Sequence, residues 1–242
     1  MSARVLDGSG DVLLLCDHAS AAVPDDIALG VAPTVMAKHV ALDIGAEALT
    51  LALAARLDVR AALGTVSRLD IDLHREPDHP QLIPVVSDGY EVPGNHAADR
   101  AERIRRFHSP YHRAVHDLVR VRRPALIVAV HSFTPRLEVG RAADRRWDMG
   151  VLSNRDRRAA DLAIAFLAQE NLVVGDNEPY SGRLLNATLN RHAEARGIPS
   201  LSLEVRNDHL LSAPGVATMC DIVARCVAHV RDGLARGRHS AT

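Results

Sequence analysis

The sequence predicts an α/β fold, a three-layer sandwich in which helices cover both faces of a mixed, largely parallel sheet. Three apolar runs carry this prediction, and they read VLLLC from residue 12, ALIVAV from 125 and SLSLEV from 200. Such runs, rich in leucine and β-branched residues, are typical of strands buried on both faces. Stretches of helical composition separate them, which favours helices packed on both sides of the sheet.

Polar groups stand at the carboxyl ends of these strands. His18 and His131 follow the first two apolar runs, and Glu204 lies inside the third. In open α/β sheets the ligand crevice lies outside the carboxyl ends of the strands. We therefore expect two imidazoles and a carboxylate to share one rim of the sheet.

The first strand leads through a loop into a long predicted helix. Pro24 delays the helix, and Thr34 is a suitable N-cap for an alanine- and leucine-rich run that reaches residue 57. His39 and Asp43 are four residues apart in its first turns, so a helix would place both on one face.

Short strands, a long loop and a second helix follow. Residues 59–66 and 69–73 are predicted strands, the second because apolar and acidic residues alternate there. Residues 76–95 hold four prolines and two glycines, which predicts a long loop of the functional or mobile kind. Residues 98–122 form a predicted helix that is kinked or restarted at Pro110.

The second half of the chain continues the alternation. Loops are expected at 134–148 and 177–182, and Gly197 stands at a normal C-cap position for the helix before it. The predicted strands are 149–153, 172–175 and 200–206, and the predicted helices are 157–170, 185–196 and 214–236.

Length and composition indicate one globular domain over residues 1–242, with a frayed tail at 237–242. The chain is 47% hydrophobic and 24% charged, which allows a sizeable core. Its formal net charge of -1 gives no overall field that would attract nucleic acid or an anionic membrane. We expect neither partner, and we expect a monomer or small homo-oligomer.

Cysteine usage and the lengths of the apolar runs indicate the compartment. Three cysteines without a CxxC pair argue against a disulfide framework and against a cysteine-rich zinc site. No run is long enough for a signal-peptide core or a transmembrane helix. The expected location is the reducing cytoplasm.

His18 and His131 are the best candidates for metal ligands, because imidazole is a common zinc ligand. A catalytic zinc site has three protein ligands and an open position. Asp43 is our first choice for the third ligand, with Asp17 and His39 as alternatives. The expected cofactor is one Zn²⁺ ion, although other divalent metals would suit the same ligands. The simpler alternative is that each histidine is only hydrogen-bonded at a strand end.

Glu204 has two interpretations. Strand alternation puts it on the same face as Ser202 and Arg206. A carboxylate this deep in a strand is costly unless it is paired or used. It would serve either as a general base for a metal-activated water or as half of a buried ion pair with an arginine.

The segment SRLDIDLHR, residues 67–75, gathers charged groups. Arg68 and Arg75 would clamp a substrate carboxylate through paired hydrogen bonds, with Asp70 and Asp72 orienting them. The alternative is a solvated strand with internal ion pairs.

Four further histidines lie on predicted helices. His108, His112 and His116 are spaced four apart, which predicts a solvent-facing or groove-lining stripe rather than a native metal site. His192 is a candidate substrate-binding or supporting group, with surface exposure as the alternative.

Eight motifs together resemble the N-formylglutamate amidohydrolase family, a relative of the zinc carboxypeptidases and of the succinylglutamate and aspartoacyl deacylases. They span most of the chain, each is weak alone, and as an ordered set they are specific. In order they read CDHAS, HVALDIGAEAL, SRLDIDLHR, FHSPYH, VHSFTP, NEPYSG, RHAEARGIP and LEVRND.

The resemblance implies a phosphorylase/hydrolase-like fold and zinc-assisted hydrolysis of an N-acyl amino acid. His18 and His131 match metal-ligand positions, and Glu204 matches the strand carboxylate that acts as general base. Three arginines match positions suited to substrate carboxylates, namely Arg68, Arg75 and Arg206. Of these, Arg68 would also help the metal to stabilise the oxyanion.

The sequence departs from the family pattern in two places. The related zinc peptidases take two ligands from an HxxE motif, but the residue three after His18 is Ala21, so Asp43 replaces that carboxylate in our prediction. The family more often has asparagine where this chain has His74, which makes His74 a candidate determinant of substrate preference.

The implied reaction is hydrolysis of N-formyl-L-glutamate to glutamate and formate, a step in histidine breakdown. Two alternatives from other classes remain. One is a metal-dependent peptidase acting on acidic or cell-wall peptides. The other is a non-catalytic binder of carboxylate ligands.

Overall fold

A computed structural model describes residues 3–139 and 144–239. Within these residues, seven strands form one mixed sheet in the order β1-β3-β2-β6-β9-β7-β8, and helices cover both of its faces. The predicted α/β sandwich is therefore confirmed. The sheet strands are β1 (Ala3–Leu6), β2 (Val12–Cys16), β3 (Arg60–Gly64), β6 (Leu126–Phe133), β7 (Met149–Leu152), β8 (Val174–Asp176) and β9 (Ser200–Arg206). A separate hairpin consists of β4 (Val86–Ser87) and β5 (Tyr90–Glu91).

The helices alternate with the strands as the sequence predicts. They are α1 (Pro33–Met36), α2 (Ala46–Leu57), α3 (Arg100–Arg103), α4 (Ser109–Val121), α5 (Arg158–Leu167), α6 (Ala187–His192) and α7 (Ala213–His239). A π-helical segment, Ile104–His108, joins α3 to α4, and 3₁₀ segments occur at Pro80–Leu82, Pro93–Asn95, Glu194–Arg196 and Asn207–Leu210. None of the helices in the described part of the chain is long and apolar enough to span a bilayer.

The three apolar runs form the centre of the sheet. β2 and β9 flank β6, and both pair with it in parallel. His131 of β6 lies directly opposite Glu204 of β9 in this register. His18 follows the end of β2, so the predicted rim of two imidazoles and a carboxylate is present.

Side chains of the central strands alternate between two apolar cores. Leu14 and Cys16 face the core beneath α2, α5 and α7. Leu13 and Leu15 face the opposite core, beneath α4 and α6. Burial on both faces explains why β2 reads as a continuous apolar run rather than an alternating one.

The predicted helix at 34–57 was wrong in its first part. The short α1 ends at Met36, and α2 begins only at Ala46, after Gly45 with a left-handed φ of 80°. The loop between them carries His39 and Asp43, which therefore share no helix face. Asp43 donates its backbone N–H to the carbonyl of His18 (3.0 Å), and this bond holds its side chain at the end of β2.

The predicted strand at 69–73 was also wrong. Residues 67–75 form turns, in which Ser67 Oγ accepts the N–H of Leu69 (3.1 Å) and the Ser67 carbonyl accepts that of Asp70 (2.9 Å). Alternating apolar and acidic residues have the period of a strand, but local hydrogen bonds of this kind compete with strand pairing.

The other observed elements differ from the predicted ones mainly in where they begin and end. The loop at 76–95 is confirmed apart from the small hairpin, and α4 restarts at Ser109 with Pro110 in its first turn. Gly197 ends the 3₁₀ turn after α6 with a φ of 61°. The edge strand β1 was not predicted. The predicted tail at 237–242 lies outside the described residues from 240 onward, and α7 extends to His239.

We expect Gly45→Ala to lower the free energy of unfolding by about 2–4 kcal/mol, since it combines backbone strain with overpacking. A Cβ at this left-handed position would lie 2.3 Å from Cβ of Leu210. Gly197 is the matched control, because it is also left-handed but a Cβ added there would have nothing within 4 Å. Gly197→Ala should cost only about 1 kcal/mol. Urea denaturation measures both, and equal losses would contradict a steric role for Gly45.

Candidate active site

A pocket of about 270 Å³ lies over the carboxyl ends of β2, β6 and β9. Its walls come from the loop after α1, the turn at 67–75 and the hairpin loop. The predicted site residues that line it are His18, Asp43, Arg68, His74, Arg75, His131 and Glu204.

Asp43 lies between the two imidazoles. Its Oδ2 atom is 2.8 Å from Nδ1 of His131 and 3.3 Å from Nδ1 of His18. All three side chains are buried. Two ring nitrogens and one carboxylate oxygen therefore converge at one side of the pocket.

The opposite nitrogen of each ring faces a second carboxylate. His18 Nε2 lies 2.7 Å from Oδ1 of Asp72, and His131 Nε2 lies 3.4 Å from Oδ2 of Asp17. A histidine that donates its Nε2–H to a carboxylate presents the lone pair of Nδ1 on its other side, as metal-binding histidines commonly do. Asp72 thus orients the ring of His18 through a hydrogen bond. Asp17 acts on the ring of His131 through its charge alone, since Nε2 of His131 makes no hydrogen bond among the described residues. Sequence reasoning missed both roles.

The charges in this cluster depend on one another. Burial disfavours the ionised form of Asp43, yet the neighbouring His18, His131 and Arg68 hold its pKa below the ordinary value. Burial lowers the pKa of His131, but Asp17 and Asp43 together raise it well above the ordinary value. Without a metal ion, protons on the imidazoles and the charge of Arg68 balance the buried carboxylates.

The donor set fits a divalent metal ion. Two imidazole nitrogens and one carboxylate oxygen are a common set of protein ligands for catalytic zinc. The ligand atoms of His18, Asp43 and His131 lie within 4.8 Å of one another. All three residues line the pocket, which leaves one side open to a substrate or water.

A second group of possible ligands consists of Asp17, His74 and His131. Asp17 is fully buried, and it accepts hydrogen bonds from His74 Nδ1 (2.9 Å) and Thr188 Oγ1 (3.1 Å). It is not among the residues that line the pocket. Since every member of the group around Asp43 lines the pocket while Asp17 does not, the group around Asp43 is the better candidate metal site.

Glu204 lies beside the cluster with an unsatisfied oxygen. Its Oε2 atom is buried and has no hydrogen-bond partner among the described residues. Burial and the charge of Asp43 raise the pKa of Glu204 to about 7, although His131 opposes the shift. No arginine of the described segments forms an ion pair with it. The geometry therefore does not favour the alternative in which Glu204 is half of a buried ion pair. A carboxyl with a near-neutral pKa is suited to both accept and release a proton.

The two predicted arginines differ in their surroundings. Arg68 donates to Asp43 (3.1 Å) and to Asp72 (3.0 Å), so it lies over the metal-ligand cluster. Arg75 approaches Asp72 only at 3.6 Å through Nε, and that buried nitrogen makes no hydrogen bond among the described residues. Arg75 is therefore the more available of the two for a ligand carboxylate.

The acidic residues of the 67–75 turn are not solvated. Asp70 is buried and pairs with Arg103 (2.8 Å) away from the pocket, while Asp72 is buried against His18 and Arg68. The alternative of a solvated charged strand is therefore wrong for this segment.

His192 and Arg206 do not line the pocket. His192 is buried behind the turn at 67–75, where its Nε2 lies 2.9 Å from Nδ1 of His112. Arg206 is held outside by Asp148 (3.0 Å) and Asp208 (2.9 Å). The structure thus separates these two residues from the other predicted site residues.

Tyr180 and Asp88 line the pocket but were not predicted. The phenol oxygen of Tyr180 accepts from Arg145 Nη1 (3.1 Å), and burial raises the pKa of Tyr180, as does the nearby Glu204. Asp88 lies 2.9 Å from His39 Nε2 and accepts the N–H of Glu138 (2.8 Å). The available signals were the NEPYSG motif, predicted as a loop, and the long proline-rich loop, predicted to be functional or mobile.

Comparisons with known proteins identify a family and two structures that this chain resembles. The family model described as N-formylglutamate amidohydrolase matches residues 10–211. A gene product of Agrobacterium tumefaciens of known structure is 30% identical, with a TM-score of 0.90 over 98% of this chain and 96% of that chain. The N-formylglutamate amidohydrolase from Ralstonia eutropha JMP134 is 19% identical, with a TM-score of 0.69 over 98% and 99%, a likeness in fold. No curated protein matches the sequence.

We expect the metal-free protein to lose stability as the pH rises above about 6.5, the ordinary pKa of histidine. The pKa values of His18 and His131 are raised above 6.5 in the folded protein, so their contribution is full below about 6.5 and is lost as the pH rises through the folded values. The buried histidines with lowered pKa values, His108, His112 and His192, titrate below this range.

Zinc should abolish this dependence, because metal-bound imidazoles carry no proton in the folded protein and unfolded imidazoles carry none above about pH 6.5. Urea denaturation in EDTA and in zinc measures both slopes, and His131→Gln should flatten the slope in EDTA. A metal-free protein whose stability does not fall over this range would contradict the paired charges at Asp43.

Proposed function

Because the chain belongs to the N-formylglutamate amidohydrolase family, we propose that it is a zinc-dependent enzyme that hydrolyses N-formyl-L-glutamate to glutamate and formate. The observation that carries the proposal is the placement of Glu204. Its carboxyl group, with a pKa of about 7, lies in one pocket with the convergent ligand atoms of His18, Asp43 and His131.

His18, Asp43 and His131 would hold one zinc ion. Asp72 would orient the ring of His18, and the charge of Asp17 would act on the ring of His131. A zinc ion bound there would supply Lewis-acid polarisation of the amide carbonyl and lower the pKa of a water molecule. The carboxylates behind the rings favour the tautomer that leaves Nδ1 free to bind a metal.

Glu204 moves the proton. It accepts a proton from the water as the water oxygen attacks the amide carbon. It then returns that proton to the amine nitrogen as the carbon–nitrogen bond breaks. The water oxygen leaves in the carboxyl group of formate, and the nitrogen leaves as the free amine of glutamate. A pKa of about 7 allows Glu204 to serve in both directions.

The arginines and His74 bind and stabilise charge. Arg68 is fixed by two carboxylates, and its remaining N–H groups would stabilise the negative charge that develops on the carbonyl oxygen. Arg75, with its unsatisfied Nε, would bind a substrate carboxylate. His74 lines the same wall and would add a contact to the acidic substrate.

The size of the pocket favours a small substrate. Its volume of about 270 Å³ is near the lower end for small-molecule sites. The hairpin residues Ser87 and Asp88 form part of its wall. An extended peptide would need an open groove, so these features support an N-acyl amino acid over the peptidase alternative.

We expect Glu204→Gln to retain about one equivalent of zinc and to lower kcat by about 10²–10⁴-fold, since glutamine cannot accept the proton. Metal analysis of untagged protein and hydrolysis assays measure the two quantities. A panel of N-formyl, N-acetyl and N-succinyl amino acids beside short peptides tests the substrate. Near-normal turnover by the variant would remove the general-base role, and wild-type protein without bound metal would favour a non-catalytic binder.

We expect Arg75→Leu to raise KM for N-formyl-L-glutamate by about 10- to 100-fold, the effect of losing a charged hydrogen bond to a carboxylate. Arg206→Leu is the matched control, because Arg206 lies outside the pocket, and its KM should stay within about twofold. Steady-state kinetics measure KM for both variants. A larger effect at Arg206 than at Arg75 would contradict the assignment of the carboxylate site.

A further inference from the structure

Two helical histidines hold the backbone behind the pocket wall. His108 Nε2 donates to the carbonyl of Arg75 (2.9 Å), and His112 Nε2 donates to the carbonyl of Leu73 (3.0 Å). These two carbonyls flank His74 on either side. Both histidines are buried, and their ring centroids are 4.2 Å apart. The predicted solvent-facing or groove-lining stripe is therefore a buried contact at these positions.

His192 extends this contact by one more hydrogen bond. Its Nε2 lies 2.9 Å from His112 Nδ1, and the two rings are stacked with an angle of 13°. Burial lowers the pKa of His112 to about 2 and that of His192 to about 4, so both rings are neutral near neutral pH. Since His112 gives its only proton to Leu73, its Nδ1 must accept the proton of His192.

The direction of these bonds leaves one acceptor unsatisfied. His192 Nδ1 is buried and has no hydrogen-bond partner among the described residues. Leaving a buried acceptor unpaired costs about 1–3 kcal/mol. Packing alone therefore does not explain why His108, His112 and His192 are buried together behind the pocket wall.

The segment that these histidines hold, residues 72–75, belongs to no helix or strand. Leu73 and His74 form a turn, and the residues on either side have no regular secondary structure. No regular hydrogen-bond ladder therefore fixes residues 72–75. On the pocket side, Asp72 Oδ1 accepts the N–H of His74 (2.9 Å) and lies 2.7 Å from His18 Nε2. The side chains of His74 and Arg75 both reach the pocket.

We propose that His108 and His112, with His192 behind them, are positioning residues that set where His74 and Arg75 meet the carboxylates of the substrate. The inference rests on the proposed function for the identity of that substrate. Among the described residues, these rings do not line the pocket and make no hydrogen bond to the proposed metal ligands. They act by fixing the two carbonyls that flank His74.

The test compares glutamine with asparagine at residue 112. The side-chain nitrogen of glutamine can occupy the place of Nε2 and donate to Leu73, whereas asparagine is too short to reach it. His112→Asn should raise KM for N-formyl-L-glutamate about tenfold, the effect of about one lost hydrogen bond. Its kcat should stay within about threefold, because the metal ligands and Glu204 are unchanged. His112→Gln should recover most of the wild-type KM.

The same pair of substitutions at His108 provides an independent test if a variant at His112 fails to fold. Amide hydrogen exchange of residues 72–76 gives a readout that needs no substrate, and exchange should be faster in the asparagine variants than in the glutamine variants. KM values and exchange rates that are alike for glutamine and asparagine would overturn the proposal. So would a fall in kcat and Tm with an unchanged KM.

A failure of this positioning role can be distinguished from a failure of the proposed function. Wild-type protein that does not hydrolyse N-formyl-L-glutamate would overturn the proposed function. In that case the exchange comparison still decides whether the two histidines fix the segment.

Discussion

The structure around the pocket depends on one buried carboxylate, Asp43, held between Nδ1 of His18 and Nδ1 of His131. An isolated carboxylate at this depth would be strongly unfavourable, so the charges around it must compensate. The fold supplies this compensation from separate segments. His18 follows β2, His131 lies on β6, and Arg68 comes from the turn after β3. The loop that carries Asp43 is fixed at the end of β2 by its own backbone hydrogen bond and is followed by the left-handed Gly45.

Successive layers of polar contacts extend outward from this carboxylate. Asp72 orients the imidazole of His18 and also accepts the backbone N–H of His74. The charge of Asp17 acts on the imidazole of His131. Behind the turn, neutral histidines of the α4 region hold the carbonyls on both sides of His74. The same short turn thus joins the metal-ligand cluster to the residues that would bind the substrate. A displacement of this turn would therefore move both the metal-ligand cluster and the substrate-binding residues.

The sequence predicted the parts of the site that follow from the sheet. Apolar runs that end in His18 and His131 indicate buried parallel strands, and parallel strands bring their carboxyl ends to one rim. Contacts made by loops could not be predicted in this way. The acidic alternation before His74 has a strand period but forms turns, and the roles of Asp17 and Asp72 arise only when distant segments meet. Arg206 shares a strand face with Glu204, yet nearby carboxylates hold it outside the pocket.

The most direct measurement of the central claim is a crystal structure of the zinc-loaded protein with anomalous diffraction at the zinc edge. We expect one anomalous peak about 2.0–2.2 Å from Nδ1 of His18, Nδ1 of His131 and a carboxylate oxygen of Asp43, with Glu204 beside it. A peak centred on Asp17 and His74 instead, or no peak in the pocket, would contradict the claim.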